Sequence, residues 1–94
     1  AGNFVTIGNI AVNGDIISVP LNTNYFPWSA GIKAVVLSYN TVTGYRYVTV
    51  ADISAEAWIN APFGISDPGF TGDSAAVYFI SADGSKMSNI SNLE

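Results

Sequence analysis

Few residues in this chain have types suited to chemistry. Four carboxylates, Asp52, Glu56, Asp67 and Asp73, invite comparison with a glycoside-cleaving pair, in which two acids flank the scissile bond. Nothing in their spacing sets two of them on one wall of a cleft. Asp67 and Asp73 would also suit a calcium site completed by loop carbonyls, since Ca²⁺ takes about six to eight oxygen ligands. The EF-hand spacing is absent, however, and both stand beside Pro68, Gly69 and Gly72, where Asp ordinarily serves a turn. The chain has no His and no Cys. That removes Ser-His-Asp and Cys-His nucleophiles, thiolate metal sites, disulfides and the usual proton shuttle. The expectation is a protein that is not an enzyme and holds neither a cofactor nor a metal.

Binding groups are more suggestive. Tyr25, Phe26 and Trp28 cluster around Pro27, and Trp58 and Phe63 could join them from a second long loop. Such aromatics can plug one end of a core, anchor a protein contact, or stack on sugar rings as in carbohydrate-binding modules. All three readings stay open. Lys33, Arg46 and Lys86 form no patch in sequence, and Lys86 after Asp83-Gly84 suits a charge that blunts an edge strand. Asn89-Ile90-Ser91 matches a glycosylation acceptor, a triplet that also arises by chance.

Short β-prone runs punctuated by Asn, Gly, Asp and Pro must position these groups. Phe4 to Val12 and Asp15 to Leu21 flank Asn13-Gly14, a strong hairpin signal, with Pro20 at the exit. Asn22 to Gly31 is the first aromatic loop. Ile32 to Tyr39 and Tyr45 to Val50 are strands joined by a turn over Asn40 to Gly44. Asp52 to Asn60 is ambiguous between a short strand and a short helix, since Asp52 or Ser54 could cap Ala55-Glu56-Ala57 before Pro62. Ala61 to Asp73 is a long loop, Ser74 to Ser81 a strand, and Ser85 to Ser91 its return after Asp83-Gly84. Six or seven strands at such spacing predict an antiparallel β-sandwich.

The 94 residues suit a single domain spanning 1–94. The chain is 49% hydrophobic but 11% charged, against about 25% charged in an average globular protein. Its net charge of -4 opposes binding to nucleic acid, and no apolar run approaches the roughly 20 residues of a membrane-spanning helix. The chain begins at Ala1, which fits either removal of an initiator Met or cleavage of a signal peptide.

Two strands do not alternate as a half-wet strand should. Lys33 to Tyr39 sets Val35, Leu37 and Tyr39 against Ala34 and Val36; Ser74 to Ser81 sets Val77 and Phe79 against Tyr78 and Ile80. So small a domain can hardly cover both faces of both strands unaided: either its own loops lie over the outer face, or another copy covers that face or an edge, and the second reading is the one expected. Ala34, Val36, Tyr78 and Ile80 are the expected interface residues. Ala1 to Ile7 and Ser88 to Glu94 are expected to make strand-exchange or edge contacts.

Two stretches carry a resemblance. Lys33-Ala34-Val35-Val36-Leu37-Ser38-Tyr39-Asn40 with Gly44, and Gly72 to Asn89 with its Val77-Tyr78-Phe79 and Ser81-Ala82-Asp83-Gly84, resemble a family of uncharacterised Bacteroidetes proteins. The C-terminal half of those proteins looks like an immunoglobulin-type sandwich. The resemblance spans roughly the last two thirds of the chain; the family's additional N-terminal region has no counterpart in this sequence. It implies an immunoglobulin-like β-sandwich and assigns no activity. The function expected from all this is non-enzymatic: a structural or interaction protein of a virion, cell surface or extracellular assembly, such as a phage decoration protein or a filament subunit. The alternative is a carbohydrate-binding module whose partner is a glycan.

Overall fold

β-Branched and aromatic runs cut by turn residues fold here into strands and, among the described residues, no helix. The computed structural model describes residues 5–14, 16–21, 30–53, 63–66 and 73–92, with the side chains of Tyr47, Phe63 and Ser66 outside that description. Among the described residues there are seven strands: β1 (Ala11–Asn13), β2 (Ile16–Val19), β3 (Lys33–Tyr39), β4 (Arg46–Asp52), β5 (Phe63–Ser66), β6 (Ser74–Ile80) and β7 (Ser91–Asn92). They form two antiparallel sheets, ordered β1-β2-β5 and β4-β3-β6-β7. The protein is an all-β antiparallel sandwich.

Turn chemistry sets the hairpins. Asn13 still belongs to β1 and pairs with Ile16, and Gly14, which follows it, takes φ 66°, which favours glycine. The turn therefore begins after Asn13, one residue later than expected. Between β3 and β4, Asn40 Oδ1 accepts hydrogen bonds from the N–H groups of Val42 (3.0 Å) and Thr43 (2.9 Å). After β6, Gly84 N donates to Ser81 O (2.9 Å) and Ser81 N to Ser85 O (2.9 Å).

Three expectations need correction. The segment 61–73, expected as a loop, contains β5, whose Phe63 to Ser66 pair with Val19 to Ile16. Val-poor and glycine-bearing, FGIS gives a weak strand signal that its neighbour β2 completes. The expected strands Phe4 to Val12 and Ser85 to Ser91 are broken into isolated bridges (Val5 with Ser88, Ile7 with Leu21, Lys86 with Ile80) and the short β1 and β7. The reason is that the N-terminal segment serves both sheets in turn. Val5 N donates to Met87 O (2.7 Å), Gly8 N to Pro20 O (2.9 Å) and Ile10 N to Asn92 O (3.2 Å). The strand-or-helix ambiguity falls mostly on 54–60, outside the described residues.

The core lies between the sheets. Ile17 and Val19 from β2 and Ile65 from β5 meet Ala34 and Val36 from β3 and Ala75, Val77 and Phe79 from β6. Val5, Ile7 and Ile10 close it from the N-terminal segment, all 3% exposed or less.

Candidate functional site

Cross-strand register decides what the outer face of the four-stranded sheet presents. Val35 stands opposite Val50 on one side and Tyr78 on the other; Leu37 stands between Val48 and Ala76. These two rows form an apolar band. Lys33, between Asp52 and Ile80, borders it at one end, and Tyr39, between Arg46 and Ser74, at the other. Val48 is 61% exposed, Val50 53% and Leu37 37%, while Val35 at the centre is buried by its neighbours. An open groove of about 610 Å³ runs beside the band, lined by Leu37, Tyr39, Arg46, Val48, Ala76 and Asn92.

The charged borders are organised. Lys33 Nζ donates to Asp52 Oδ1 at 2.5 Å, with the Lys33 side chain partly exposed and that of Asp52 mostly in solvent. The Arg46 guanidinium sits 4.9 Å from the centroid of the Tyr39 ring, a cation–π contact. Arg46 and Asp52 are the two ends of β4.

Of the residues expected at an interface, Tyr78 and Ile80 lie on this outer face, half-buried. Ala34 and Val36 do not. Both are 0% exposed and point into the core. The two-residue periodicity of both strands holds, but Ala34 and Val36 lie on the face of the sheet opposite to Tyr78 and Ile80. The register unites Ala34 with Phe79 and Val36 with Val77, so the small side chains face the other sheet. Val35, Leu37, Val48 and Val50 take their place on the outer face. Adding the alternation of β4, with Arg46, Val48 and Val50 on one side, would have pointed to them. Val5 and Ile7, expected in exchange contacts, are buried within their own chain, and Ala1 to Phe4 lie outside the described residues.

The chemical candidates are occupied or unplaced. Thr41 donates to Asp73 through its N–H (2.9 Å) and its hydroxyl (2.5 Å), and the hydroxyl bond foremost lowers the Asp73 pKa below the usual carboxylate range. Asp73 thus ties the β3–β4 turn to the start of β6. Ser81 and Ser85 hydroxyls and the Ser85 N–H converge on Asp83 and lower its pKa to about 2. Glu56 and Asp67 lie outside the described residues, among which no group of three acidic, His or Cys residues could hold a metal. Tyr25, Phe26, Trp28 and Trp58 also lie outside them, and Phe63 opens β5 with its side chain undescribed. The Asn89 side chain of the glycosylation triplet accepts from Ile7 N (2.8 Å) and donates to Ile7 O (3.0 Å), so its amide is already engaged.

No family model, curated protein or solved structure matches this chain.

Proposed function

We propose that this protein is a non-enzymatic structural or interaction module that associates with copies of itself, and that it decorates or builds a virion, cell-surface or extracellular assembly. The observation that carries the reading is the apolar band, in which Val48, Val50 and Leu37 stay exposed on a sheet that contributes its other face to the core. Contiguous apolar surface rimmed by charge marks interaction sites on soluble proteins. The low charge and the lack of His and Cys favour association over catalysis. The resemblance to uncharacterised Bacteroidetes proteins supports an immunoglobulin-like chain path and adds no activity. Sugar binding would rest on aromatics outside the described residues, and nothing among those residues favours it.

Sedimentation across a wide concentration range tests the proposal. Species well above the 9.9 kDa of one chain are expected as concentration rises. Leu37→Asp, which sets a carboxylate in the middle of the band, is expected to weaken association roughly tenfold or more. A wild-type protein that remains a 9.9 kDa monomer at its solubility limit would overturn the reading.

A further inference from the structure

We infer that β4 is the strand through which two copies join, pairing antiparallel with β4 of a second copy about a two-fold axis at Thr49. The inference rests on the self-association proposed above and specifies its geometry.

The first ground is the state of the edges. β1, β5 and β7 present edges of three, four and two residues, and β6 is partly covered by β7. β4 is seven residues long, pairs only with β3 among the described residues, and has neither Lys nor Pro from Arg46 to Asp52, its two charges standing only at its ends. Natural edges of that length ordinarily carry such blocking residues.

The second ground is the direction of the backbone groups. Asn40 N donates to Tyr45 O (2.9 Å) and Ile53 N to Ile32 O (3.2 Å), at the two ends of the β3–β4 ladder. Antiparallel pairing alternates, so Tyr47, Thr49 and Ala51 turn their backbone groups toward β3. Arg46, Val48, Val50 and Asp52 turn theirs toward the open side. A partner strand must meet these even-numbered residues with even-numbered residues of its own.

The third ground is that RYVTVAD is complementary to itself in that register. With Thr49 on the axis, Arg46 of each copy stands opposite Asp52 of the other, and Val48 opposite Val50. Two Arg–carboxylate pairs and two valine pairs form at once, each pair in the alternation that hydrogen-bonds. The rows then run on across both copies: Tyr39 and Arg46 lead into Asp52 and Lys33 of the second, and Val35 and Val50 into Val48 and Leu37. A one-residue slip would oppose residues whose backbone groups face opposite ways, and a two-residue slip would separate both charge pairs.

Residue-resolved amide hydrogen exchange on the intact wild-type chain, dilute and concentrated, tests this alongside sedimentation. The expected result is that Arg46, Val48, Val50 and Asp52 amides slow together with association, while Tyr47, Thr49 and Ala51, already bonded to β3, do not change. Association that leaves those four amides unchanged would overturn the β4 pairing and leave the self-association reading standing. Absence of association would overturn both. As a second measurement, Arg46→Asp and Asp52→Arg are each expected to weaken association roughly tenfold or more, and the double exchange to restore it. Single variants that associate like the wild type, or a double exchange that does not recover, would overturn the register.

Discussion

Three serines in similar surroundings show how a single hydroxyl is judged by its partners. Ser88 is fully buried, accepts from Phe79 N (2.8 Å) and donates to Asn89 O (2.9 Å). Ser91 is buried and donates to Gly8 O. Ser38, 2% exposed on the core face of β3, has no partner for its Oγ among the described residues. Losing a buried partner leaves a donor unsatisfied, whereas losing an unpartnered hydroxyl removes a cost. Ser88→Ala is expected to destabilise by about 1–3 kcal/mol in denaturant unfolding, while Ser38→Ala is neutral or stabilising. Equal losses in the two variants would refute that distinction. At Asp83 the hydroxyls of Ser81 and Ser85 hold the carboxylate ionised, lowering its pKa from 3.8 to about 2. A depressed folded-state pKa contributes stability that is present above pH 4 and lost as pH falls toward 2. Asp83→Asn is therefore expected to flatten the fall of Tm between pH 4 and 2; an unchanged slope would count against it. Asp83 is fully exposed, so the effect is a change of slope in a single hairpin.

Elements here are held as much by side-chain mimicry of strands as by strands. Asn89 donates its amide N–H to Ile7 O and accepts from Ile7 N through its side-chain carbonyl, doing for the N-terminal segment what a neighbouring strand would do. With the bonds of Val5, Gly8 and Ile10, it stitches the segment to both sheets. Asn89→Ala breaks two bonds to a buried residue and is expected to cost about 1–3 kcal/mol. Exchange at the Ile7 amide should accelerate before global unfolding, while the β3 and β6 amides keep their rates. Uniform acceleration through the fold would show that the segment is not a separable element. β4 is the reverse case, a long strand whose second side meets no described neighbour, and that asymmetry is the ground on which we propose it as the joining strand.

Across the whole molecule, the proposed self-association would use two surfaces of one sheet for two orders of assembly. Edge pairing at β4 would make one continuous eight-stranded sheet and place the apolar bands of two copies side by side. The doubled band would then offer a larger face to further copies, as a decoration layer or filament requires. The Leu37→Asp and β4 charge variants separate these levels, because Leu37 lies in the middle of the face and Arg46 and Asp52 lie on the edge strand.

Local information was sufficient for much of this. Alternation, Asn13-Gly14, Asp83-Gly84 and the low charge determined the all-β class, most strand positions and the surplus of apolar faces, since turn chemistry and period-two patterning act within a few residues. It did not determine β5, whose short FGIS run becomes a strand only beside β2, or the division of the N-terminal run between two sheets. Nor could it tell which face of β3 is core. Ala34, Val36 and Val35, Leu37 are alike in pattern, and their fates separate only when register sets Ala34 across from Phe79 and Val35 across from Tyr78. Register joins residues about 40 apart in the chain. Only the packed sheets fix such a pairing, because the buried area that selects it does not exist in either strand alone.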